Sequence, residues 1–374
     1  MNHRERQLAI LAHQPPDRIP FVPRLELWYQ AHVLAKSLPT RFAGMSLRQV
    51  EAAIGVATTG RFGRIFEKTL EPPVTKEVTN EAGKRITHWH TPVGSVRQVE
   101  GYSDNLTRDG LPGRVEEYPI KRAEDYKVWE YVIQHTHWQP RYDEFRQYDA
   151  EIGHDGLPIV EAGDVPFHSL ILDTIGYDDA FYHLLDYQEE FEHLLAVMHE
   201  VERYRLWPVI AASPAKLILH GIHLSSQFTP PPLYREYILP YYREFVPLMH
   251  AVGKSVTMHA DNDTSLIMSE LEESGFDMLE CFITAPMVPL TMQRAREVWG
   301  NRMILFGGLP SVLFSPHIPE ADFRAYVVDL LATVAPGDAF IMGVADNVMP
   351  DSLIERVEWV EDYLEAHGTY PLSS

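Results

Sequence analysis

The sequence predicts an α/β protein of the (β/α)8 TIM-type barrel class, with an antiparallel β insertion near the N-terminus. Three observations lead there. From about residue 155 onward, short apolar runs alternate with helical stretches, as expected where crossover helices join parallel strands. The helical stretches repeat their apolar residues with a period of about 3.6, which is one face of a helix laid on a sheet. No glycine-rich loop of the GxGxxG or GxxxxGK[ST] type follows a strand, which disfavours a nucleotide-binding open sheet.

In chain order, "RIPFVPR" (18–24) reads as the first strand. The stretch at about 71–103 alternates in β style around a glycine turn and reads as hairpin or meander strands outside the parallel sheet. Six strand candidates follow: "LPIVEAG" (157–163), "KLILHGI" (216–222), "SVTMHA" (255–260), "DMLECF" (277–282), "MILFGG" (303–308) and "AFIMGV" (339–344). With 18–24 they make seven, one short of a barrel. In "TSLIMSELEESG", Leu266, Met268 and Leu271 form a core stripe and Gly275 a C-cap. Asp351 or Ser352 is placed to cap the closing helix. Pro240, inside "PPLYREYILPYYREFVPLMHAVG", predicts a kink or break near Leu239. No linker divides the chain, so residues 1–374 read as a single domain.

The chain is 45% hydrophobic over 374 residues, enough for a substantial core. Lys and Arg number 32 against 53 Asp and Glu, and the net charge of -21 repels phosphate backbones and anionic membranes alike. A small-molecule substrate is expected, and neither nucleic acid nor membrane. The single cysteine, Cys281, excludes an intrachain disulfide and a zinc site of several thiolates. The opening residues are too weakly apolar for a signal peptide, and no run approaches the roughly 20 apolar residues of a membrane span. A cytoplasmic location is expected.

In a (β/α)8 barrel, chemistry sits where the strands end. Those ends carry His259 and Asp261, Glu280 and Cys281, Asp346 and Asn347, Glu161 and Asp164, and His220 and His223. His259 and Asp261 are two apart and so share one side of an extended segment. With Glu280 and Asp346 they compose one imidazole and three carboxylates, a hard donor set for one divalent ion: zinc first, with manganese or iron also suited. The same residues also read without a metal. Asp261 or Asp263 would cap a helix beginning near Ser265, and His259 would bond a neighbouring carbonyl. Cys281, next to Glu280, is expected to face away and pack. His220, His223 and Glu161 are the candidate acid–base groups. His88 and His90 fit an exposed strand face.

The segments "HQPPDRIPF", "PLYREYILPYYREFVPLMHAVGKSVTMHADND", "LEESGFDMLECF", "MILFGGLPSVL" and "GVADNVMPDSLIERV", in that order, resemble the uroporphyrinogen decarboxylase-like superfamily. Its members are (β/α)8 barrels: the decarboxylase, zinc-dependent methylcobamide:coenzyme M methyltransferases and, more distantly, cobalamin-independent methionine synthase. The decarboxylase branch would need an arginine-rich stretch after the first strand, where "RLELWYQAH" offers Arg24 alone and adds Glu26. The methyltransferase branch matches in position, with His259-Ala260-Asp261 where those enzymes resemble it in a His-x-Cys. Methionine synthase's zinc-binding Glu falls near Glu280, and the last Cys near Asp346. Carboxylates in place of thiolates make a harder Lewis acid, suited to polarising oxygen. The resemblance therefore implies a metal-dependent methyltransferase. It would move a methyl group from an oxygen-bound, methoxy-type donor to a corrinoid on a partner protein. A metal-free decarboxylase-like lyase and a metal-assisted hydrolase are the alternatives.

Overall fold

A computed structural model describes residues 1–104, 106 and 113–372 of the chain. Its centre is a six-stranded parallel sheet, formed from β7 (Ile159–Glu161), β8 (Leu217–Ile222), β9 (Ser255–His259), β10 (Met278–Phe282), β11 (Ile304–Pro310) and β12 (Phe340–Ala345). The strands lie side by side in sequence order, with helices making the crossovers. Both faces are covered, so each strand is a nearly unbroken apolar run. Alternate residues divide between two clusters. Leu217, Leu219, Met278, Ile304, Phe306 and Ile341 point to one, closed at its end by Ile10 of the helix His3–Leu11. Ile218, Val256, Met258, Leu279 and Leu305 point to the other, beneath the crossover helices.

Six strands pair in this way where a full barrel has eight. The expected strand at 18–24 is reduced to a single parallel bridge from Phe21 to Met342, because Pro20 and Pro23 have no N–H to give a ladder. Beyond β7, Thr58 makes a similar bridge to Gly156. These two flanking segments meet: the Ala57 amide donates to the Phe21 carbonyl at 3.1 Å. Val22 and Ala57 are buried in the same cluster as the inward residues of the six strands.

The N-terminal half carries two antiparallel elements. β1 (Phe66–Leu70) pairs with β6 (Thr136–Pro140). The stretch read as hairpin strands holds β2 (Thr75–Glu81), β3 (Lys84–Thr91) and β4 (Gly94–Gly101), and β5 (Arg114–Glu117) completes a four-stranded sheet past its expected end. Trp89 and Val96 of that sheet pack on Val128 and Val132 of the helix Ala123–Gln134. His88 and His90 stack at 5.8 Å on one strand face, as expected.

Three local expectations need correction. The break near Leu239 takes the form of a π-helical turn, Tyr234–Ile238. Pro240 then lies in the first turn of the helix Leu239–Ala251, where a missing N–H breaks no bond. Leu266 lies outside the core at 63% exposure, since the helix begins only at Met268. Asp263 instead accepts from the Ser265 amide at 3.0 Å in a tight turn, and Gly275 does end the helix in a left-handed conformation. Neither Asp351 nor Ser352 caps the last helix, which starts at Ile354 after Leu353 with no side-chain cap.

Two predictions follow from this packing. A Cβ at Gly307 would lie 2.6 Å from the Phe282 carbonyl, at φ +147°, whereas one at Gly253 meets nothing within 4 Å. Gly307→Ala should therefore cost about 3 kcal/mol in urea unfolding and Gly253→Ala about 1 kcal/mol; equal losses would contradict the packing. Glu51 is buried with neither carboxylate oxygen partnered, and burial together with nearby Glu26 pushes its pKa up to about 8. The folded state thus holds a proton that the unfolded chain releases near its ordinary pKa of 4.5. Glu51 costs nothing below that pH, and its penalty grows up to pH 8 by at most about 1.4 kcal/mol per unit. Glu51→Gln should flatten the fall in stability across this window, and an unchanged slope would count against the assignment.

Candidate functional site

The ends of β9, β10 and β12 bring His259, Glu280, Cys281 and Asp346 together, and the loop after β9 adds Asp261. His259 is buried at 4% exposure, and its two nitrogens face different neighbours. Nδ1 lies 2.6 Å from Glu280 Oε2. Nε2 looks the other way, 3.6 Å from Asp261 Oδ2 and 3.5 Å from Asp346 Oδ1. His259 Nε2 therefore faces two of the other expected ligands, Asp261 and Asp346, each in a separate group around it, and Glu280 stands behind the ring. Its second oxygen accepts from Arg61 Nη1 at 3.0 Å.

Two groups of possible ligand atoms share His259. One adds His223 and Asp261, the other Cys281 and Asp346, and within each group the atoms lie within 4.8 Å of one another. His223 Nδ1 is 2.6 Å from Asp261 Oδ2. The Cys281 thiol donates to Asp346 Oδ1 at 3.0 Å, with Arg24 on the same carboxylate. Cys281 was expected to face away from Glu280. It does not, because the β10–β11 register shifts between Leu279 and Phe282 and Cys281 takes φ +58°. That bulge breaks strict alternation and turns two successive side chains toward one region. Imidazole nitrogens, carboxylate oxygens and a thiol in this arrangement fit a divalent ion such as zinc.

The charges are tightly coupled. Burial works against a charged His259, but Glu280, Asp346 and Asp261 outweigh it and raise its pKa to about 9. Burial likewise opposes ionisation of Glu280, yet Arg61 and His259 hold it down at about 2. Asp346 is held well below the ordinary carboxylate range despite its burial, by His259 and Arg24. Cys281 moves the opposite way, pushed well up by burial and then by Glu280 and Asp346.

The expected acid–base residues separate. His223 joins the cluster. His220 is fully buried between Tyr241, Tyr242 and Phe245, and burial lowers its pKa to about 4. Its Nε2 lies 3.2 Å from the Tyr241 hydroxyl, which donates to Glu202 at 2.8 Å, so His220 belongs to the packing behind β8. Glu161 is exposed and lines a cavity of about 1030 Å³ beside β7, outside the His259 cluster itself. A hydrogen-bonded chain absent from the sequence reading adjoins it. Asp164 Oδ2 lies 2.6 Å from His168 Nδ1, and His168 Nε2 lies 3.0 Å from the Tyr177 hydroxyl. The i,i+4 spacing of Asp164 and His168 was its only signal in sequence; Arg61 had none.

Arg61 and Glu280 have side chains only 14% and 1% exposed, so neutralising one strands the other. Glu280→Gln should lower stability by about 3 kcal/mol, while Asp263→Asn, in the nearby turn, should cost under about 1 kcal/mol. A Glu280→Gln protein as stable as the parent would contradict the pairing.

With the geometry established, comparison with known proteins is informative. No curated protein sequence matches the chain. In fold it is similar to a methyltransferase from Methanosarcina mazei, with a TM-score of 0.54 and 15% identity, covering 98% of this chain and 99% of that one. The family model for uroporphyrinogen decarboxylase (URO-D) matches residues 166–367, which hold β8 to β12 and His223, His259, Asp261, Glu280, Cys281 and Asp346. The chain belongs to the uroporphyrinogen decarboxylase (URO-D) family.

Proposed function

We propose that this chain is a metal-dependent methyltransferase that moves a methyl group from an oxygen-bound, methoxy-type donor to a corrinoid carried by a partner protein. The observation that carries the reading is the pair of possible ligand groups that share His259, one with Asp261 and His223 and the other with Asp346 and Cys281, in a URO-D family chain whose fold is shared with a methyltransferase. The barrel reading goes with it. The Ala57–Phe21 hydrogen bond, between segments that flank the two edges of the parallel sheet, supports a (β/α)8 closure of one domain over residues 1–374.

In this proposal His259 would hold the ion, with Asp346 and Cys281 from one group and Asp261 available from the other. Zinc suits this set best, with manganese or iron as substitutes, and when bound it supplies a Lewis acid toward the donor oxygen. Glu280 is reassigned from ligand to positioning residue. It accepts the Nδ1 proton of His259 and so presents Nε2 as the bonding nitrogen. Arg61 fixes Glu280 in turn, and Arg24 fixes Asp346. The methyl–oxygen bond breaks as the methyl group passes to the corrinoid, and the oxygen left behind takes a proton. His223, half-exposed and hydrogen-bonded to Asp261, is placed to deliver it.

A metal-free lyase is the second reading, favoured by one observation. Arg24, Arg61 and a protonated His259 already balance the charges of Asp261, Glu280 and Asp346.

The test is methylation of a reduced corrinoid from a methoxy compound, followed by the corrinoid's visible spectrum. His259→Ala and Asp261→Ala should abolish it. Glu280→Gln should weaken zinc affinity by roughly 10–100-fold, with activity recovered at high zinc. Unchanged methyl transfer in His259→Ala, or after complete chelation, would overturn the metal mechanism, and no methyl transfer by the zinc-loaded parent would favour the lyase.

A further inference from the structure

The cavity beside β7 contains more chemistry than the methyl-transfer scheme uses. One wall is the end of β7, Glu161 to Asp164; another is the segment Arg61–Lys68, which leads into β1; Trp138 of β6 closes a third. Arg61 belongs both to this wall and to the His259 cluster, through Glu280, so cavity and cluster adjoin. The volume of about 1030 Å³ is ample for a substituted aromatic ring.

Its lining carries Arg61, Arg64, Lys68 and Arg141 against Glu67, Glu144, Glu161, Asp164 and Glu202, and Asp164 is held by His168. Arg61 is engaged by Glu280 and Arg141 by Glu67. Among the described residues, Lys68 and Arg64 take part in no ion pair. The Lys68 ammonium stands 5.9 Å from the centre of the Trp138 ring, and Phe66 lines the same wall. Glu202 also reaches the cavity, but burial pushes its pKa up to about 8, so at neutral pH it leaves the lysine charge unbalanced. Asp173, near Lys68 in an adjoining pocket, is raised by burial as well. A cation beside an aromatic face, with no carboxylate among the described residues at ion-pair distance, is a half-built site for a planar anion.

We propose that this cavity binds an aromatic carboxylate, its ring against Trp138 and its carboxylate on the Lys68 ammonium, with Arg64 as a second cation. Lys68 is exposed on β1 and lines the cavity, so its ammonium is open to a carboxylate entering there. The proposal deepens the methyltransferase reading, since it makes the methyl donor a methoxylated aromatic acid and turns its ring toward the Arg61 side. It does not depend on a metal or a corrinoid. β1 and β6 lie outside the 166–367 match, so this site would belong to the part of the chain that sets it apart.

The experiment is calorimetric titration of the full chain with benzoate and with benzamide, its neutral isostere, supported by the quenching of tryptophan fluorescence. Benzoate should bind at least roughly tenfold tighter than benzamide, the difference expected of one charge-assisted contact. Lys68→Gln should remove that preference and Lys68→Arg should keep it; Trp138→Leu should weaken both ligands and reduce the quenching. Circular dichroism of each variant separates misfolding from lost binding, with Lys68→Arg as the folded reference. Equal affinity for the two ligands, no benzoate binding up to about 10 mM, or a charge preference that survives Lys68→Gln would overturn the proposal. Benzoate binding with no methyl transfer would leave the cavity assignment standing and sink the methyltransferase reading. Methyl transfer without benzoate binding would do the reverse.

Discussion

An imidazole and a carboxylate, both almost shut off from water, lie 2.6 Å apart at the ends of β9 and β10. Desolvating two such groups is expensive, and their mutual attraction repays the cost only where the remaining polar atoms are satisfied. Here they are: Arg61 takes the free oxygen of Glu280, and Asp261 and Asp346 face the free nitrogen of His259. The pair therefore fixes the ring plane, the tautomer and the direction of Nε2. It also ties the loop that carries Arg61 to the parallel sheet, so the cavity beside β7 shares a wall with the cluster. Weakening Glu280 would loosen both.

The backbone at the strand ends makes this density of polar groups possible. β9 keeps register with β10 up to the pairing of His259 with Glu280, and immediately afterwards the β10–β11 register slips. The slip sends Cys281 toward Asp346, where a regular strand would have sent it to the opposite face. Gly221 and His223, both at positive φ, end β8 in a similar way and separate His220, which turns inward, from His223, which turns to Asp261. Each departure from ideal geometry places a functional atom, as expected where local regularity yields to a site.

Much of this architecture was legible in the sequence because the parallel strands are continuous apolar runs. All six candidates from 157 onward have strand counterparts, and Asp261 and Asp346 each lie beside His259 where those strands end. What escaped had no local signature. A bulge depends on the neighbouring strand's register, so alternation misplaced Cys281. Arg24 and Arg61 come from segments before β7 and reach the cluster only through tertiary closure. Pro20 and Pro23 were visible, yet the apolar residues between them read more strongly as a strand than the missing amides allowed. Glu280 stands at the Nδ1 side of His259 and away from Nε2, a distinction that sequence spacing has no means of drawing.

Family membership rests on residues 166–367, while the cavity walls formed by Arg61–Lys68 and Trp138 precede that match. In the proposed function, the family-matched centre and the wall that precedes it would divide the work, one acting on the transferred group and the other choosing the molecule that carries it. The central claim of the proposed function is that His259 Nε2, with the carboxylates beside it, holds a metal. Elemental analysis of tag-free protein beside its His259→Ala variant tests it most directly. The account predicts about one equivalent of a divalent transition metal in the parent and its loss in the variant. A parent that stays metal-free after incubation with zinc, manganese and iron would contradict it.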